Sequence, residues 1–76
     1  METKMDMLNK VLYYRERKED MSQEKLAELV GVSQKTICNI EQHTHIPNVL
    51  IAMRLAQVLN VDIYELFKDA TWRKEK

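Results

Sequence analysis

The sequence predicts an all-α domain built from five short helices. Two observations carry that reading. Apolar residues recur at three- and four-residue spacing, and four of the five runs are preceded or closed by a helix-capping residue: Ser22, Gly31, Ser33, Asn48, Asp62. Turn residues are scarce, with one glycine, Gly31, and one proline, Pro47, in 76 residues. A β-rich domain of this length needs more turn punctuation than that.

The first helix is expected from about Asp6 to Lys18, with Met5, Leu8, Val11 and Leu12 as its apolar stripe and Tyr13 and Tyr14 at the border. The polar pair Glu19-Asp20 ends it. The second starts at Ser22, whose hydroxyl can accept an orphan backbone N–H. Leu26, Ala27 and Val30 form its inward face, and Gly31 stops it by taking the left-handed conformation without steric cost. The third is capped by Ser33, buries Ile37 and Ile40, and ends near Gln42. Residues 43–48 form a loop, and Asn48 caps the fourth helix. Val49, Ala52, Met53, Leu55, Ala56 and Leu59 make that helix apolar on more than half its surface, so it is the expected centre of the core. After a break at Asn60-Val61, Asp62 and Glu65 have capping-box spacing. Ile63, Leu66 and Phe67 supply the apolar face of the fifth helix. The alternation Ala70, Trp72, Lys74 is too short to decide whether the tail adds a strand.

Composition narrows the function. Hydrophobic residues make up 45% of the chain and charged residues 32%, an ordinary globular balance. A chain this short buries only about 60–65% of its unfolded surface, so it needs a compact core. Cys38 is the sole cysteine, so there is no intramolecular disulfide. No apolar run approaches the ~20 residues of a membrane span. The segment Met1–Met7 is too polar for a signal peptide, and a cytoplasmic protein is expected. Twelve basic and twelve acidic residues cancel, which argues against an indiscriminate nucleic-acid binder but leaves room for a directed one.

Enzymatic chemistry is not expected. Glu16, Glu19 and Asp20 sit in a charge-rich helix end and read as solvated acids. No nucleophile–base set or glycine-rich phosphate loop appears. Cys38, His43 and His45 match no closed zinc pattern. No cofactor and no metal are expected. Lys35 is the one basic residue near Cys38, which argues against a reactive thiol.

The informative stretch is 22–42. Two short helices are joined through Gly31-Val32, with Ser33 already capping the next. So tight a turn forces a steep crossing, and Ala27 must be small where the second helix passes over it. The run Ser22-Gln-Glu-Lys-Leu-Ala-Glu-Leu-Val-Gly-Val-Ser-Gln-Lys-Thr-Ile-Cys-Asn-Ile-Glu41 resembles the helix-turn-helix of lambdoid phage repressors, Cro proteins and XRE-type bacterial regulators. The resemblance continues through Ile46-Pro47-Asn48, Leu55-Ala56 and Leu59 to Val61-Asp62-Ile-Tyr-Glu-Leu-Phe67, covering about Leu8 to Phe67. It implies a five-helix, lambda-repressor-like domain over residues 1–68, with the helix-turn-helix at about 22–42, and a tail at 69–76.

The same resemblance implies a DNA-binding regulator whose third helix enters the major groove, where every base pair shows a distinct pattern. Steps of 100° put Lys35, Cys38, Asn39 and Gln42 on the face opposite Ile37 and Ile40, with Gln34 at its leading edge. Gln34, Lys35 and Asn39 fall on positions the family uses for base contacts. Gln and Asn can pair bidentately with adenine, and Lys can donate to guanine. Cys38 could touch a thymine methyl. A solvated polar face is the bland alternative. Phosphate contacts are implied for Ser22 and Gln23 at the start of the second helix, and for Ser33, Thr36, Gln42, His43 and His45 at the groove edges; exposed loop is the neutral reading for the last of these.

The sequence departs from the family in two places. The family often has an Arg six residues before the capping Ser, paired with the Glu that closes the third helix. Glu16 stands there, flanked by Arg15 and Arg17. Either the turn at Glu19-Asp20 holds an extra residue and Arg15 pairs with Glu41, or the ion pair is absent. His43 replaces the frequent Gly or Asn just beyond the helix, a position that asks for positive φ.

The expected protein is a stand-alone bacterial or phage regulator, a repressor binding a near-palindromic operator as a homodimer. Ile63, Tyr64, Phe67 and Trp72 are the candidate dimer surface. The rival is an antitoxin-type protein that masks a partner protein and represses its own operon.

Overall fold

Three helices begin on side-chain caps. The computed structural model describes residues 9–68, together with the backbone of Lys4–Asp6 and Thr71–Arg73. Ser22 Oγ accepts the Lys25 N–H (3.0 Å) and opens α2, Gln23–Val30. Ser33 Oγ accepts the Thr36 N–H (3.1 Å) and opens α3, Gln34–Glu41. Asn48 Oδ1 accepts the Ile51 N–H (2.9 Å) and opens α4, Val49–Leu59. Each cap satisfies a first-turn donor that the helix itself cannot. Gly31 closes α2 at φ 91°, and the Gly31 and Val32 N–H groups both donate to Ala27 O. His43 closes α3 at φ 65°, as its place beyond the helix demands, and the Thr44 N–H returns to Asn39 O (2.9 Å). Asn60 closes α4 at φ 57°. Asp20, also left-handed at φ 58°, makes the turn before α2.

Two ends differ from the sequence expectation. The first helix, α1, runs only from Val11 to Glu16. Asn9 sets its start: Oδ1 accepts the Val11 N–H (3.0 Å), while Nδ2 donates to Ile40 O (3.0 Å) at the end of α3. Asp6 lies instead in β1, Lys4–Asp6, which pairs antiparallel with β2, Thr71–Arg73. Lys4 faces Arg73, Met5 faces Trp72 and Asp6 faces Thr71 along the ladder. The expected stripe residue Leu8 and the side chain of Met5 lie outside the described residues. The fifth helix, α5, spans Ile63–Phe67, and Asp62 makes no side-chain cap. Glu65 is drawn away from the capping box. Its Oε2 accepts from Tyr14 Oη (3.3 Å) and pairs with Lys68 Nζ (3.2 Å) and Lys10 Nζ (3.9 Å).

The helical body is all-α, five helices around one core, and the short β1–β2 ribbon joins its ends. Val11, Leu26, Val30, Ile37, Ile40, Leu55 and Leu66 are completely buried, and Ala27, Ala56 and Leu59 complete the cluster. α4 contributes to contacts with α1, α2 and α5 and is the centre expected for it. Its buried face is narrower than its composition suggests: Ala52, Leu55, Ala56 and Leu59 point inward, while Val49, Leu50 and Met53 are exposed. Leu12 is exposed too, one 100° step from buried Val11.

Glu65 holds α1 to α5 electrostatically. The Lys68 ammonium, hydrogen-bonded to its carboxylate, holds its pKa below the usual 4.5, against the opposing effect of burial. Burial, with the Glu65 carboxylate beside it, pushes the Tyr14 hydroxyl above 10.0. A depressed carboxylate stabilises the folded state fully above its unfolded value and loses that contribution as pH falls through the folded one. Glu65→Gln should therefore have a lower urea midpoint than the parent at pH 7, with the gap closing as pH drops below 4.5. A gap that stays constant with pH would show that Glu65 carries no linked charge. Gly31→Ala should lose about 1 kcal/mol in the same assay, because φ 91° is strained for any L side chain and the new Cβ would sit 3.2 Å from Arg54 Nη1.

Candidate nucleic-acid interface

α2 and α3 pack on each other more extensively than any other pair of elements. Ala27 is 3% exposed at their crossing, and Leu26, Val30, Ile37 and Ile40 fill the space beneath. With the inner face of α3 fixed by Ile37 and Ile40, the outer face follows from helix geometry. Gln34 and Lys35 are exposed, Cys38 and Asn39 are half-buried, and Gln42 is exposed. Cys38 is a free thiol. Lys35 is the single cation on α3.

A buried carboxylate anchors the C-terminal end of α3. Glu41 has a side chain only 3% exposed. Arg15 grips it with a fork: Nε to Oε2 at 2.5 Å and Nη2 to Oε1 at 3.2 Å. Arg15 Nη1 also donates to Met21 O (3.1 Å). Of the two alternatives left by the sequence, the extra turn residue is the one observed: Asp20 takes positive φ, and Arg15 replaces the residue at position 16 as the partner of Glu41. Gln23 joins the same carboxylate, with Nε2 donating to Oε1 (2.8 Å). This Gln23–Glu41 contact spans eighteen residues and leaves no sequence signal.

The remaining candidates divide by engagement. The Ser22 and Ser33 hydroxyl oxygens accept the cap bonds, and Ser33 Oγ also pairs with Thr36 Oγ1 (3.0 Å). A capping hydroxyl keeps its own proton to donate. His43 is half-buried, with Nδ1 at 3.5 Å from Asn9 Nδ2. His45 is exposed in the following loop. The two arginines of α1 and its C-cap are engaged differently. Arg15 turns inward, and the Arg17 guanidinium lies 3.4 Å from the Tyr13 ring centroid and donates to Tyr13 O. Of the candidate dimer residues, Tyr64 is 71% and Ile63 39% exposed, whereas Phe67 packs partly on the core. The Trp72 side chain lies outside the described residues. Among the described residues no group of His, Cys, Asp and Glu is placed to hold a metal, and no helix is long and apolar enough to cross a membrane.

A family model described as helix-turn-helix matches residues 11–66, from the start of α1 to the last turn of α5. The chain belongs to the Cro/C1-type helix-turn-helix family. An uncharacterised helix-turn-helix-type transcriptional regulator of Bacillus subtilis, YgzD, is 34% identical over 70 residues, covering 92% of this chain and 98% of its own. A regulator of the same description from Methanocaldococcus jannaschii is 38% identical over 61 residues, covering 80% of this chain and 91% of its own. A third, from Archaeoglobus fulgidus, is 35% identical over 58 residues, covering 72% and 82%. The chain is thus a DNA-binding transcriptional regulator and not an enzyme. Its Cro/C1-type domain keeps the tight α2–α3 turn on Gly31 and the two serine caps.

Removing one side of the buried pair should be costly. Arg15→Ala leaves Glu41 without its counter-ion in a site closed to water, and about 3 kcal/mol should be lost from the unfolding free energy. Urea titration of the purified variant checks this. A loss under about 1 kcal/mol would mean that the pair behaves like a surface ion pair.

Proposed function

We propose that this regulator is a sequence-specific repressor that binds duplex DNA as a homodimer in the cytoplasm, with α3 in the major groove. One observation carries the reading. Lys35, Asn39 and Gln34 line the outward side of a helix whose inner side is committed to the core, and among the described residues their side chains make no hydrogen bond or ion pair. Gln34, Lys35, Asn39 and Cys38 are the proposed base-contacting residues. Ser22, Gln23, Ser33, Thr36, Gln42, His43 and His45 ring them as phosphate contacts, which fix position but carry no sequence information directly. With a net charge of zero, affinity must rest on these directed contacts and on pairing of subunits rather than on bulk attraction. Ile63, Tyr64, Phe67 and Trp72 are the proposed dimer surface. Two copies related by a twofold axis would set their α3 helices about 34 Å apart, in successive major grooves of a near-palindromic site.

An antitoxin-type role on the same fold is the second reading. It draws on the exposed apolar residues Ile46, Val49, Leu50 and Met53, between α3 and the middle of α4. Co-purification of a stoichiometric second chain from the native host would put it first.

Selection of random duplexes on the purified protein, read by sequencing, tests the repressor reading. The expected result is an enriched inverted repeat. Lys35→Ala should relax base choice at one position per half-site, a loss of about 1–3 kcal/mol in discrimination there. Gln23→Ala should weaken binding to all sequences alike. An unchanged preferred sequence in Lys35→Ala would overturn the placement of α3 in the groove.

A further inference from the structure

We infer that Glu41, which would not itself touch DNA, is the positioning residue for the phosphate contact at the start of α2. Its Oε1 turns the Gln23 amide so that an N–H, rather than the amide oxygen, is offered to the phosphate. The inference rests on the duplex-binding reading above.

A glutamine amide is ambiguous as an anion ligand. Its nitrogen donates and its oxygen accepts, and a half-turn about the last side-chain bond exchanges them. An amide oxygen turned toward a phosphate repels it. Gln23 escapes that ambiguity because its neighbour is a carboxylate, which only accepts. Glu41 Oε1 takes one N–H of Gln23 Nε2 at 2.8 Å. The second N–H of the same nitrogen then points away from Glu41, and no partner for it occurs among the described residues. The carboxylate cannot turn to follow the amide. Arg15 holds both of its oxygens, and Arg15 Nη1 is tied in turn to Met21 O, one residue before the α2 cap. Water does not substitute for the anchor, since the Glu41 side chain is 3% exposed. The Arg15 guanidinium offsets the negative charge behind the site, so the anchor does not repel the phosphate it serves. Ser22 Oγ and Ser22 O take the Lys25 and Leu26 N–H groups. The first-turn N–H groups of Gln23 and Glu24 stay open beside the oriented amide, as helix geometry requires.

The test uses the duplex enriched by the full-length protein, with single methylphosphonates replacing each phosphate of one half-site in turn. In the parent protein, one position near the start of α2 should show a penalty on the order of tenfold, as expected for a hydrogen bond to a charged acceptor. That penalty should vanish in Gln23→Ala. It should also fall to about twofold in Glu41→Gln, whose neutral amide can donate to Gln23 Oε1 and reverse it, while penalties at other phosphates persist. A Glu41→Gln profile identical to the parent's, with affinity merely lowered overall, would make Glu41 a structural residue only and overturn the inference. A Gln23→Ala profile identical to the parent's would instead remove Gln23 from the phosphate contacts, and failure to enrich any duplex would remove the DNA reading itself. A measurement on the parent protein covers the case in which Glu41→Gln does not fold. Of the two Gln23 side-chain amide protons, one should exchange slowly with solvent in free protein and the other should shift on adding the duplex. Two equivalent, rapidly exchanging protons would overturn the inference as well.

Discussion

The Glu41 carboxylate is the constraint on which the other parts of this structure converge. It is nearly closed to water, and a buried carboxylate is tolerated only when charge and hydrogen bonds replace its hydration. Three donors do so, and they come from different places: Arg15 Nε and Nη2 from α1, Gln23 Nε2 from the first residue of α2. Satisfying one group therefore fixes the end of α3 against the body of α1 and the start of α2. Asn9 works on the same end from the other side, donating to Ile40 O while its Oδ1 begins α1. The outward face of α3 is presented by a helix held at its last turn by side-chain contacts and beneath by Ile37 and Ile40.

Hydrophobic packing supplies the remainder of the geometry. Gly31 lets α2 stop and α3 start within three residues, and Ala27 lets the two approach closely. Leu55 and Leu66 close the core from α4 and α5. The Tyr14–Glu65–Lys68 group then ties α5 to α1 at the place where the chain enters and leaves the body. The backbone bond from Lys10 N–H to Leu66 O (3.0 Å) lies beside it. The β1–β2 pair begins just beyond that neck.

The parts legible in the sequence are those encoded locally. Ser22, Ser33 and Asn48 each cap a donor three residues on, and Gly31 ends α2 within the same turn, so composition and spacing suffice. The α2–α3 crossing is legible for the same reason. Contacts across the fold are not. The start of α1 depends on Asn9 reaching its own turn and Ile40 together. The pairing of residues 4–6 with 71–73 has no local signature in segments this short. Glu65 has capping-box spacing, yet Tyr14, Lys10 and Lys68 capture it. The sequence leaves the Glu41 partner open between Arg15 and none, and the left-handed Asp20 in the preceding turn is what brings Arg15 to it. The Gln23–Glu41 bond, the feature that most sharpens the candidate site, joins residues with no sequence relationship.

A neutral protein that binds DNA must do so with few, well-aimed groups. In the proposed reading those groups stand on α3 and at the start of α2, while Arg15 is turned inward to Glu41 and Arg17 lies over the Tyr13 ring. The most direct test is a nitrogen-15 NMR titration of the full-length protein with its enriched duplex. The account predicts the largest amide shifts at Gln34, Lys35 and Asn39 and at Ser22 and Gln23, with Leu55 and Leu59 in the core unmoved. Largest shifts along α4 with a silent α3 would contradict it.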